Sequence, residues 1–276
     1  VTDDPLRRWA DLLAAWAIPD SVLAQATDSP WVSPRELFAR RADAQIADPI
    51  GSTHLAAISA LGTPGTVLDI GAAAGASSLP LAGRAPVTEF VAVDSDAPLL
   101  DQYSRRAAAL GAKASAVNGS WPSVESVVDK ADVVIAGNVV YNVPDLEPFV
   151  RALSGHARRL VIVETAQRHP LTELNPFWRR FHGIARPDGP TADDLLAALR
   201  ALDIEPWVSR WRRPPEAEYA SFADLVDVVR RRLCLPRDAA ARVDAALRES
   251  GVDPARPPDL GSSGRDLVML AWEPLT

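Results

Sequence analysis

The chain has 276 residues, 47% of them hydrophobic and 24% charged, which fits one large globular unit, or one with a helical appendage, and excludes a low-complexity or disordered chain. Its net charge of −7 argues against a wholesale nucleic-acid binder. Cys234 is the only cysteine, so an internal disulfide and a cysteine-built zinc or iron–sulfur site are excluded and a reducing cytoplasm is the expected home.

The first residues, Val1-Thr-Asp-Asp-Pro-Leu-Arg-Arg, lack the basic-then-apolar order of a secretory leader. Residues 4–62 read as helical. Leu6, Trp9, Leu12, Leu13 and Trp16 fall at helical spacing, and Ser33-Pro34-Arg35-Glu36 predicts an N-cap, a first-turn proline and a capping acid. Ser52 is expected to cap another helix that ends at Gly62.

From Thr66 the rhythm changes to short β-rich runs separated by helical stretches: 67–70, 90–94, 114–117, 132–136 and 160–164. Strands apolar on both faces and alternating with helices predict a parallel sheet covered on both sides. Toward the end, Trp207-Val-Ser-Arg-Trp211 alternates like a half-buried strand. Helices follow around 221–235 and 237–250, then a flexible loop over Pro254 to Gly264 and a last strand over 267–272. No stretch of about eighteen apolar residues is free of charge or proline, so no membrane span is expected.

The stretch Val67-Leu-Asp-Ile-Gly-Ala-Ala-Ala-Gly-Ala-Ser-Ser-Leu79 runs a buried strand into a small-residue turn and predicts a helix after it. Residues without bulk let a ligand reach the backbone, and a helix N-terminus offers free N–H groups. Asp94 closes the next strand, where a carboxylate can hold two ribose hydroxyls, with Ser95 beside it. A dinucleotide fingerprint would need glycine at 71, 73 and 76, and only Gly71 fits. The pattern Asp-x-Gly-x-Gly-x-Gly is met by Asp69, Gly71 and Gly75, with Ala73 in the middle place. A carboxylate at Asp69 would repel a pyrophosphate but suits a cationic aminoacyl group.

On these residues the chain resembles the class I, Rossmann-like methyltransferases that use S-adenosylmethionine, over about residues 55–213 and the last strand. The resemblance implies an α/β fold with a seven-stranded, mostly parallel sheet whose last strand is antiparallel. It divides the chain into an N-terminal helical cap (1–54), a methyltransferase core (55–213 and 265–276) and a helical insertion (214–264). It implies a cofactor site of Asp69, Gly71, Ala72, Ala73, Gly75, Asp94, Ser95 and Asn138. The adenine-contacting segment maps onto Asn118-Gly119-Ser120-Trp121, where the family more often has an Asp.

Tyr141, Glu164 and His169 follow buried strands and are the candidate catalytic residues, Glu164 and His169 as general bases for a hydroxyl acceptor. Glu164 could equally pair with Arg168 or a cap, and Tyr141 could belong to the core. Asn142 reads as turn chemistry before Pro144 and His182 as packing. The segment 138–142 does not form the Asn-Pro-Pro-Tyr/Phe motif of many amino-group methyltransferases. The four histidines show no metal-ligand spacing, so no metal is expected. Trp9, Trp16, Trp31, Trp178 and Trp207 are assigned first to the core.

The expected partner is a small-molecule acceptor, with both appended regions folded over the strand ends. The rival enzyme reading is an RNA methyltransferase that docks through the arginines at 179–180, 210–213 and 230–232. A third is a protein that binds cofactor without turnover. Oligomeric state is not legible.

Overall fold

In a computed structural model, residues 4–49, 51–215, 218–255, 260 and 264–274 are described. Seven strands form one sheet: β1 (Gly65–Ile70), β2 (Val87–Asp94), β3 (Ala114–Asn118), β4 (Ala131–Gly137), β5 (Ala157–Ala166), β6 (Trp207–Arg212) and β7 (Asp266–Trp272). Their spatial order is β3-β2-β1-β4-β5-β7-β6. The first five in this row run parallel, β7 lies antiparallel beside β5, and β6 antiparallel beside β7. All seven expected strands are therefore present, in the mostly parallel arrangement with an inserted antiparallel strand.

Two-residue alternation sorts the strand side chains onto two faces. Leu68, Ile70, Val134, Val161, Val163 and Leu270 pack on one side, under α6 (Leu146–His156), α8 (Ala192–Ala201) and Trp9 of α1 (Pro5–Ala14). Val67, Phe90, Val133, Ile135 and Ile162 pack on the other, under α4 (Ser52–Ala60) and α5 (Ala97–Ala109). The helix starts are locally encoded. Asp96 caps α5 by accepting from Leu99 N–H at 3.1 Å, and Thr191 with Asp194 closes a capping box on α8.

A third apolar cluster stands apart from the sheet. It joins Ile18 and Val22 of the leading segment, the latter on α2 (Asp20–Leu23), to Leu174, Phe177 and Trp178 around α7 (Asn175–His182). The rest comes from α9 (Phe222–Arg232) and α10 (Ala240–Glu249), including Leu225, Val229, Val243 and Leu247. Trp9 and Trp178 are buried, whereas Trp31 and Trp207 are 54% and 59% exposed, so these two are not core residues.

Three local expectations fail for identifiable reasons. The turn after β1 leads not into an α-helix but into a single 3-10 turn, Leu79–Leu81, with Pro80 inside it. The turn after β1 therefore offers no α-helix N-terminus of its own. Ser33 does not cap α3 (Arg35–Ala47); its hydroxyl accepts instead from Arg232 at 2.7 Å, and Pro34 stands at the cap. Gly51, not Ser52, precedes α4, and the buried Ser52 hydroxyl has no partner among the described residues. Most of the loop expected over Pro254 to Gly264 lies outside the described residues. Among the described residues no helix is long and apolar enough to cross a membrane, and no group of three His, Cys, Asp or Glu could hold a metal.

Candidate active site

Five parallel strands deliver their carboxyl ends to one edge, and the direction of the chain reverses on either side of β1, which leaves a crevice between β1 and β4. A cavity of about 1180 Å³ opens there. Gly71, Ala72, Ala73, Asp94, Ser95, Gly119, Ser120, Trp121 and Asn138 lie on one part of its wall. Tyr141, Glu164 and His169 lie on it too.

Asp94 organises the end of the cavity beside β1 and β2. Its Oδ2 accepts from Ala73 N–H at 2.8 Å and its Oδ1 from Asp96 N–H at 2.9 Å, so one carboxylate fixes the turns after β1 and β2. The turn itself needs left-handed backbone: Gly71 has φ +70° and Gly75 φ +99°. Ala73, in the middle place of the glycine pattern, also adopts φ +43°, a region that costs an L-residue about 1 kcal/mol or more. A Cβ on Gly75 would come within 2.4 Å of Leu79, which closes this position to any larger residue.

Asp69 and Gly75 do not reach the wall. Alternation on β1 turns Asp69 away from Leu68 and Ile70, toward Tyr103 of α5. There it is fully buried, and its Oδ2 accepts from the Ser78 hydroxyl at 2.6 Å, which in turn meets the Tyr103 hydroxyl at 2.8 Å. Asp69 Oδ1 has no partner among the described residues. Burial above all, with Asp94 nearby adding to it and the Ser78 bond opposing, pushes its carboxyl up to about 7.

Glu164 does not pair with Arg168, which bonds Asp188 instead. Its Oε2 accepts from the Thr53 hydroxyl at 2.6 Å and its Oε1 from Asn138 Nδ2 at 3.1 Å. His169 is buried and stacks on Trp16, with ring centroids 4.1 Å apart. Its Nδ1 accepts from Leu171 N–H at 3.2 Å, so the neutral ring carries its proton on Nε2. Burial, then Arg265, Arg186 and Arg232, push its pKa down to about 3. The neutral ring therefore presents its Nε2–H as a donor. Tyr141 sits edge-on to His169 at 5.8 Å, and burial raises its pKa, so its phenol stays protonated.

Several wall residues carry no signal in the sequence. Arg41, Thr53, His54, Glu218 and Arg265 arrive from helices and strand ends that show only amphipathic or turn patterns, and Arg213, read in the sequence as part of a docking cluster for RNA, lines the cavity instead. Trp211 also lines the cavity, with an indole N–H that has no partner among the described residues.

The cofactor end fits an adenosyl ligand. The backbone of the turn is bare of bulk, Asp94 lies on the wall at the end of β2, and the buried Trp121 Nε1 lacks a partner among the described residues. Sheet order, crevice and turn together define a Rossmann-like α/β core.

Residues 67–160, about a third of the chain, match the family described as a methyltransferase domain. No curated protein sequence matches the chain. Among solved structures it is similar to YcgJ of Bacillus subtilis, with a TM-score of 0.51 and 15% identity over 81% of this chain and 99% of that one. It is also similar to the BH2331 protein of Bacillus halodurans, with a TM-score of 0.51 and 12% identity over 80% of this chain and 98% of that one. At such identities these likenesses show the shared fold.

Proposed function

We propose that the protein transfers a methyl group to a small molecule held in the part of the cavity that lies beyond Asn138. One observation carries this reading: both appended regions wall that space. Leu13, Trp16 and Ile18 come from the first, and Glu218, Tyr219, Val229 and Arg232 from the second. We accordingly read 1–54 as cap, 55–213 with 265–276 as core, and 214–264 as insertion. The segment around α7 joins them through the third apolar cluster.

The bound cofactor supplies an activated methyl group on a sulfonium. The chain's own part is to hold the two reactants in line, which alone supplies about 7–11 kcal/mol in well-oriented reactions. In this reading Asp94 takes the ribose hydroxyls, while Gly71, Ala72, Ala73, Ser95 and Asn138 present backbone and short polar groups. Gly119, Ser120 and Trp121 face the adenine. Tyr141 and the Nε2–H of His169 orient the acceptor, and Glu164 holds Asn138 in place. A walled cavity also keeps water from the reacting atoms.

The rival RNA reading needs exposed arginines, and most of those in the second half are committed. Arg180 pairs with Glu249, Arg210 with Asp193, Arg212 with Asp266, and Arg230 and Arg231 with Asp227. The test is to incubate the protein with S-adenosylmethionine carrying a labelled methyl group and a cell extract, then separate small molecules, RNA and protein. Label in the small-molecule fraction is the expected result; label confined to RNA or protein overturns the proposal.

A further inference from the structure

Two neighbouring groups beyond Asn138 report what that part of the cavity tolerates. Tyr141 and His169 meet edge to face, with ring centroids 5.8 Å apart. His169 is held in its neutral form, its pKa pushed down to about 3 by burial first and then by Arg265, Arg186 and Arg232. Tyr141 is held in its neutral form too, because burial raises its pKa against the opposing pull of Arg41, Arg265 and Arg213. A cation and an anion are thus both disfavoured at adjoining points of one wall, the mark of a desolvated space.

The guanidinium groups on this wall are already engaged inside the protein. Arg41 donates to Glu218, and Arg213 lies 3.8 Å from the same carboxylate. Arg186 is held by the carbonyls of Trp16 and Ala17, Arg232 by the Ser33 hydroxyl and Arg265 by the Pro170 carbonyl. The Glu164 carboxylate is likewise taken, by Thr53 and Asn138. A charged ligand would have to displace one of these partners, whereas an uncharged one leaves them in place.

What the wall offers a ligand is flat and aromatic. His169 stacks on Trp16 with ring centroids 4.1 Å apart and planes 18° from parallel, and Tyr141 borders the stack. Trp31 adds a second surface at the rim, since it lines the cavity yet is 54% exposed. Its loop is pinned: the Val32 carbonyl accepts from Arg231 at 3.1 Å, and the Ser33 hydroxyl accepts at 2.7 Å from Arg232, whose charge reaches His169. The cavity of about 1180 Å³ exceeds the roughly 300–1,000 Å³ of a site for one small ligand, so an acceptor of several rings fits beside a cofactor. We propose that the acceptor is an uncharged, flat molecule of fused aromatic rings, bound against Trp31 and the wall that Tyr141, His169 and Trp16 build. This rests on the reading of the cavity as the acceptor site. Ring-on-ring contacts favour such a molecule over a saturated one of the same size, and its lack of charge spares the desolvation that an ion would suffer here.

The test uses 2-naphthol as the uncharged aromatic probe near neutral pH. Its counterparts are 2-naphthoate, an anion, 2-naphthylmethylammonium, a cation, and decahydro-2-naphthol, which keeps the carbon frame without aromatic rings. Each is titrated calorimetrically into the full chain with and without S-adenosylhomocysteine. 2-Naphthol is expected to bind about tenfold or more tightly than either ion, and about threefold or more tightly than the saturated alcohol. Trp31→Ala, at an exposed position where folding is not at stake, should weaken 2-naphthol about threefold or more and leave S-adenosylhomocysteine binding as it was. Tyr141→Leu should weaken 2-naphthol likewise, while Tyr141→Phe, which keeps the ring, should not. An ion or the saturated alcohol that binds as tightly as 2-naphthol overturns the proposal. So does unchanged 2-naphthol affinity in either Trp31→Ala or Tyr141→Leu. Selectivity for 2-naphthol together with methyl label confined to RNA would strike the reading of the cavity as the acceptor site. Label in small molecules without that selectivity would strike this inference alone.

Discussion

Asn138 and Glu164 are tied twice, by main chain and by side chain: Asn138 N–H donates to the Glu164 carbonyl at 2.7 Å and its Nδ2 donates to Glu164 Oε1 at 3.1 Å. The pair bridges the ends of β4 and β5 and holds Asn138 at φ +57°, a left-handed conformation that asparagine tolerates better than most residues. Thr53 completes the arrangement from α4. Both oxygens of the Glu164 carboxylate are engaged, and in the proposed reading it positions Asn138.

Glu164→Ala is therefore expected to weaken binding of S-adenosylhomocysteine by about 1.5–3 kcal/mol, the value of hydrogen bonds to a charged group. Glu164→Gln, which keeps one acceptor, should lose less. Calorimetry on both variants checks this. Unchanged cofactor affinity with a collapsed turnover rate would instead put Glu164 against the acceptor.

The Ala73–Asp94 contact yields a second expectation. Asp94→Ala removes the acceptor of Ala73 N–H and of Asp96 N–H and, in the proposed reading, the group that holds the ribose, so cofactor affinity should fall by at least about 1.5–3 kcal/mol. Ala73→Gly keeps the Ala73 N–H bond and relieves the left-handed strain, worth about 1 kcal/mol, against a comparable entropic cost of glycine. Thermal melting should thus show Ala73→Gly within a few degrees of the parent, whereas Ala73→Val should be clearly destabilised.

His169 gives a pH signature. Its pKa near 3 in the folded chain lies below its ordinary value of 6.5, so the unfolded chain takes up a proton that the folded one refuses. Stability from this group is complete above 6.5 and lost as pH falls toward 3. The rate profile should show no histidine limb from about pH 5 to 8, where an ordinary imidazole titrates. A limb in that interval that disappears in His169→Gln would restore the general-base role.

The sheet was legible because each strand is a short apolar run and the runs recur at a helix-length interval; Val133-Val-Ile-Ala136 and Leu160-Val-Ile-Val163 leave little else for those residues to be. Gly71 and Asp94 were legible because a bare turn and a strand-end acid are local patterns. The arginine-lined end was not. Arg41 comes from α3, Arg213 from the end of β6 and Arg265 from the start of β7, and only the antiparallel pairing of β6 with β7 and the packing of α3 bring them together. Ser33 misled because a serine before a helix signals a cap, whereas its hydroxyl serves a guanidinium 199 residues away in sequence. The helix expected after the turn failed because Ser78 spends its side chain on Asp69 and the segment closes after one 3-10 turn at Leu79–Leu81.

Asp69 carries the last prediction. Its carboxyl titrates near 7 in the folded chain and near 3.8 as a free side chain, because burial disfavours the charged form more than the Ser78 bond favours it. Between these two values the folded chain keeps a proton that the unfolded chain has lost, so stability falls as pH rises. The contribution is complete below 3.8 and gone above about 7. One such proton produces a slope of at most about 1.4 kcal/mol per pH unit. Asp69→Asn presents a neutral group of the same shape that still accepts from Ser78. Urea unfolding across this interval should show a flatter pH dependence for Asp69→Asn than for the parent, and a more stable variant above pH 7. Parallel curves for the two proteins would overturn the assignment of this proton to Asp69.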